Sequence, residues 1–107
     1  MSFTRSGGGP VQWPSLVPIV TGKDESYEPL PTDYYIGVNG TGVTVTLPSG
    51  AIAGKTYVIK DESGQITANA AYRITVTGSI DGSSSIVMTQ SYMSLSLLWT
   101  GTFWSII

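Results

Sequence analysis

Tyr92-Met93-Ser94-Leu95-Ser96-Leu97-Leu98-Trp99 is the stretch that decides the fold class. From Ser94 to Leu97, hydroxyl and apolar side chains alternate with a period of two. That pattern sends one set to a buried face and the other to water, as a half-buried strand requires. The same period returns upstream in Val43-Thr44-Val45-Thr46-Leu47 and in Arg73-Ile74-Thr75-Val76-Thr77. Tyr34 to Val38, Thr56 to Lys60, Ser85 to Met88 and Thr102 to Ile107 are further short runs of β-forming residues. Turn signals stand between the runs: Asn39-Gly40, Pro48-Ser49-Gly50, Asp61-Glu62-Ser63-Gly64, Asp81-Gly82 and Thr100-Gly101. Gln65 to Ala71 reads either as an irregular loop or as part of a strand, and Ser49 to Lys55 as one helical turn at most. About seven short strands separated by turns predict an all-β protein, with a compact β-sandwich or barrel-like head.

Composition narrows the chemistry. The chain has 107 residues, with no cysteine and no histidine. Thiol nucleophiles, disulfides, imidazole bases and the common zinc and copper ligands are therefore absent, and a non-enzymatic protein without cofactors is expected. Five basic and seven acidic residues give a formal net charge of −2, which argues against a nucleic-acid partner. No apolar run approaches the ~18 residues that span a bilayer, so membrane insertion is not expected. Met1 to Gly9 lacks the apolar core of a secretory signal. Asp61 and Glu62 are adjacent and, at a strand end, point to opposite faces, so they read as a solvated, strand-capping turn and not as a catalytic or calcium pair. Ser83-Ser84-Ser85 has no base nearby in sequence to activate a nucleophile.

Residues 1–31 differ from the rest. Gly7-Gly8-Gly9 is followed by Pro10, Pro14, Pro18, Pro29 and Pro31, a density that disfavours helix and central strand. Yet Trp13, Leu16, Val17 and Ile19 are large apolar residues that a plain tether would not carry. An extended Gly/Pro-rich attachment arm over 1–31, anchored through those four side chains, is one reading. Wrapping of the protein's own core is the other. The β head then occupies 32–107.

The last strands are apolar through Ile106-Ile107, and an uncovered hydrophobic edge aggregates. A short chain without disulfides or metal gains core by oligomerising. Leu95, Leu97, Phe103, Ile106 and Ile107 are accordingly expected at an interface between subunits, with burial in an ordinary core strand as the alternative. Tyr92, Trp99 and Trp104 are the candidate glycan contacts, since aromatic faces stack on sugar rings; core packing is the alternative. Alternation puts Phe103 and Trp104 on opposite faces, one inward and one outward.

Several segments in order resemble a recurrent module of tailed-bacteriophage virion appendages. They are Thr32-Asp33-Tyr34-Tyr35-Ile36-Gly37-Val38, then Val43 to Pro48, then Gly54-Lys55-Thr56-Tyr57-Val58-Ile59-Lys60-Asp61-Glu62-Ser63-Gly64. Ile74 to Thr77, Ile80-Asp81-Gly82, Tyr92 to Leu97 and Gly101 to Ile106 continue the series. The resemblance covers about residues 32 to 107 and implies no catalytic residues. It implies an intertwined homotrimer on the virion, in a tail fibre, a spike or another small surface protein such as a capsid-decoration protein. Such a particle component is assembled in the host cytoplasm. The arm would hold it to other capsid or tail proteins, and its head could take part in host attachment. A carbohydrate- or receptor-binding module acting through the C-terminal aromatics is the competing expectation, with a host surface glycan as partner.

Overall fold

In a computed structural model, residues 18–107 are described. They form eight strands and one short 3-10 turn. The strands are β1 (Ile19–Lys23), β2 (Tyr35–Val38), β3 (Thr44–Thr46), β4 (Thr56–Asp61), β5 (Ile74–Ile80), β6 (Ser83–Met88), β7 (Ser94–Trp99) and β8 (Trp104–Ile106). The 3-10 turn, Ala70–Tyr72, lies in the stretch whose sequence was ambiguous, and Asn69 caps it by accepting the Ala71 N–H. The protein is all-β, in a curled, half-barrel sheet.

The alternation in β7 has the predicted effect: Leu95, Leu97 and Trp99 are buried, and Ser94, Ser96 and Leu98 are not. This corrects the assignment of Leu95 and Leu97 to a subunit interface. β7 is an interior strand, antiparallel to β4 on one side and to β8 on the other, and its inward side chains pack in the core of a single chain. Trp104 lies in the same core, with its ring 5.4 Å from Tyr57 and 5.2 Å from Trp99. Its indole N–H donates to the Pro48 carbonyl at 3.2 Å, so the large ring is buried with its polar atom satisfied.

Neighbouring strands follow the order β1-β2-β4-β7-β8-β5-β3, with β6 paired to β5 off that path. β1, β2 and β4 are mutually parallel, as are β3 with β5 and β5 with β8. Asn39-Gly40 therefore turns the chain but makes no hairpin, because β2 and β3 lie far apart in the sheet order. Gly40 is needed there for space: a Cβ would come 2.6 Å from the Asp24 Cα. Asp81-Gly82, by contrast, joins β5 to β6 directly. Its φ angles of +45° and +84° match the two left-handed positions of a type I′ hairpin turn.

The division at residue 31 is also corrected. β1 pairs with β2, and the Pro18 carbonyl accepts N–H groups from Tyr34 and Tyr35 at 3.1 and 3.2 Å. Beyond β1 the chain crosses to the opposite end of the sheet. There Tyr27 donates its N–H to Thr44 at 2.9 Å, and its carbonyl accepts from Thr46 at 3.0 Å, a parallel bridge to Val45. Residues 18–31 thus close the curl instead of leaving it. Pro18, Pro29 and Pro31 all stand outside the strands, so the proline-rich segment supplies an edge strand without losing a ladder hydrogen bond. Trp13, Leu16 and Val17 lie outside the described residues.

Candidate functional site

The polar groups nearest to forming a site are three carboxylates, and each is occupied by the fold. Asp61 ends β4 and is 1% exposed. It accepts from the Ser63 hydroxyl at 2.6 Å, the Ser63 N–H at 3.0 Å, the Gly64 N–H at 3.1 Å and the Tyr92 N–H at 2.9 Å. Burial opposes its ionisation, but the donors from Ser63, Tyr92 and Gly64 outweigh burial and hold its carboxyl below the ordinary range. Glu62 faces the other way. It accepts from the Thr21 hydroxyl at 2.6 Å, the Gly22 N–H at 2.8 Å and the Tyr35 hydroxyl at 2.8 Å. Burial again opposes the charge, those donors prevail, and its carboxyl too is held down.

Asp33, also buried, accepts from the Tyr27 hydroxyl and, at 2.8 Å, from the Leu30 N–H. Desolvation, with Asp33 alongside, pushes the Tyr27 hydroxyl up to about 12. These carboxylates do not converge on a shared point, as the alternation of Asp61 and Glu62 predicted. Asp33 and Asp61 are, however, buried staples and not solvated caps, and Glu62 is a half-buried one. The signal for Asp61 was present in Asp61-x-Ser63-Gly64, a side chain turning back on its own loop. Asp33 and Tyr27 gave no such local signal, because their partnership depends on how the chain closes the sheet. Among the described residues no group of three or more His, Cys, Asp or Glu is placed to hold a metal ion.

Two candidate glycan contacts are corrected. Trp99 is 8% exposed and Trp104 1%, because both point into the curl from β7 and β8. Phe103, one position from Trp104, faces outward, as alternation required. Ile106 and Ile107 are exposed, and so is Ile19, whose side chain stands on the outside of β1.

Tyr92 remains. It is 61% exposed, yet its backbone is left-handed with φ +62°, a conformation unusual for an aromatic residue. Its N–H is held by Asp61, and its carbonyl accepts from the Lys60 ammonium. The ring lies over Gly64, where a Cβ would overlap it. Beside it the two loops are clasped reciprocally: Thr67 N–H donates to the Ser91 hydroxyl and Ser91 N–H to the Thr67 hydroxyl, each at 3.0 Å. The loop that carries the exposed ring is thereby held by a buried anion and by paired hydroxyls. Elsewhere, Pro31, Pro48, Ala51, Ile52, Lys55 and Tyr57 line a small apolar cleft of about 160 Å³.

The chain matches no family model, and no curated protein shows significant similarity to it.

Proposed function

We propose that this protein is a non-enzymatic structural component of a bacteriophage particle, working as a homotrimer. Its sheet forms a surface head, and residues ahead of Pro18 attach it to other virion proteins. A tail fibre or spike and a capsid-decoration protein are both places for such a part. The observation that carries the non-enzymatic reading is the engagement of Asp33, Asp61 and Glu62 as internal hydrogen-bond acceptors. Asp61, with four donors, and Glu62, with three, are held ionised and in place, and Asp33 is fixed by Tyr27 and Leu30, which suits a framework better than a proton shuttle. The virion assignment is supported by the ordered resemblance between Thr32 and Ile106. Trp13, Leu16 and Val17 keep their role as attachment side chains, whereas Ile19 would contribute from the edge of the sheet. The test is incorporation: a chain lacking residues 2–17 should fold and fail to enter particles. Folding with normal incorporation would remove the attachment role.

One observation favours host-glycan binding as a second activity of the head. Tyr92 combines exposure with a strained, anchored backbone, and strain maintained by its surroundings accumulates at binding sites. A saccharide ring would stack on the free face of Tyr92, with the Thr67–Ser91 loops beside it. Binding on a glycan array that disappears in Tyr92→Gly is the expected result; binding unchanged in that variant would exclude the site.

A further inference from the structure

Among the described residues two edges of the sheet are open, and the ladder sets their hydrogen-bonding directions. Thr75 donates its N–H to Val43, and the Thr77 carbonyl accepts from Leu47, so both residues direct their backbone towards β3. Their neighbours Ile74 and Val76 therefore bond to β6, at Met88 and Ile86. It follows that Ser85 and Val87 turn their N–H and C=O groups outward, and the described residues offer these groups no partner. On β1 the Pro18 carbonyl accepts from Tyr35, which leaves the backbone of Ile19 directed away from β2; beyond Val20 the register shifts.

Protection is sparse on both edges, and on β1 it is confined to the register shift between Val20 and Lys23 and to Lys23 itself. β6 reads Ser83-Ser84-Ser85-Ile86-Val87-Met88, with no charge and no proline, and Val87 is 46% exposed. β1 has one charge, Lys23 at its far end, and Ile19 is 63% exposed. Unpaired edges with apolar side chains and little charge recruit another strand.

We propose that β6 of one copy adds to β1 of the next, so that one repeated head-to-tail contact covers both edges. A β6-to-β6 contact would be two-fold and would leave β1 open. A head-to-tail contact that closes on itself gives a ring of copies. Each edge presents an exposed apolar residue whose backbone faces outward, Val87 on β6 and Ile19 on β1. This deepens the homotrimer reading by naming its contact and moves that contact away from Leu95 and Leu97, which the core already buries.

The chain has no cysteine, so introduced thiols report alone. Val87→Cys and Ile19→Cys chains should cross-link on oxidation when mixed and not when kept apart, and Ser85→Cys with Thr21→Cys serves as the alternative register. Sedimentation should show the full chain as a closed oligomer, and Val87→Lys should release monomer with an unchanged circular dichroism spectrum. Ser85→Pro, which removes an outward N–H, should do the same. A monomeric full chain, a Val87→Lys variant that stays assembled, or dimers cross-linked by Val87→Cys alone would each overturn the contact. A monomer that still enters particles would overturn the contact while leaving the virion role intact.

Discussion

Asp61 Oδ2 accepts the backbone N–H of Tyr92 at 2.9 Å, which ties the end of β4 to a residue held at φ +62°. The same carboxylate closes its own turn through Ser63 and Gly64. One buried anion therefore fixes two loops that are 31 residues apart. Its charge is favoured by donors that the unfolded chain replaces with water.

Asp61→Asn should destabilise the fold by about 1–3 kcal/mol, since an amide sets its own N–H₂ against at least one of those donors. The sign of the pH dependence follows from the lowered folded value. The stabilisation is complete above the unfolded carboxylate range near pH 4 and is lost as pH falls through the folded value. Urea titrations from about pH 7 to about pH 2 should show a steeper acid loss in the native chain than in Asp61→Asn. Parallel curves would assign the acid transition to other groups.

Truncation separates wrapping from attachment. Removing residues 2–17 should leave the thermal transition within a few degrees of the full chain, whereas removing residues 2–27 should abolish cooperative unfolding. The longer deletion takes away β1 and the Tyr27 bridge that closes the sheet onto β3. Cooperative unfolding in the longer deletion would show that the curl stands without its closing segment.

Gly37 and Glu62 form a second testable pair. A Cβ on Gly37 would overlap the Glu62 carboxylate, which is fixed by Thr21, Gly22 and Tyr35. Gly37→Ala should cost about 1–3 kcal/mol. In a Glu62→Ala background that cost should shrink, with a coupling of about 0.5–3 kcal/mol in a double-mutant cycle. Additive effects would mean that the strand, not the carboxylate, requires the glycine.

The aromatics should divide by burial. Trp104→Ala should lose about 3–5 kcal/mol, as expected for deleting a large ring from a packed core. Tyr92→Gly should change stability by only about 1 kcal/mol, because the left-handed backbone is relieved while the cover over Gly64 is lost. Chemical denaturation of the two variants checks both values.

Alternation made the strands legible: Val43 to Leu47, Arg73 to Thr77 and Ser94 to Trp99 each carry their buried face in their order of residues. Asp81-Gly82 likewise announced its hairpin, because two adjacent left-handed residues are a local requirement. Pairing was not legible in the same way. Parallel neighbours such as β2 and β4 are set by long crossings, and no local signal at Asn39-Gly40 distinguishes a hairpin from a departure. Ile19 to Lys23 was obscured by the surrounding prolines, whose effect depends on whether they fall inside a strand or beside it. Trp99 and Trp104 show a similar limit: an aromatic ring on an alternating strand is equally compatible with core and surface until the neighbouring strands are known. Tyr92 was named from its ring, but its anchorage to Asp61 is a tertiary fact.

The most direct test of the particle role is quantitative mass spectrometry of purified virions made with the full chain and with the chain lacking residues 2–17. A fixed copy number for the full chain, in multiples of three, and loss of the truncated but folded chain is the predicted result. Absence of the full chain from purified virions would contradict the account.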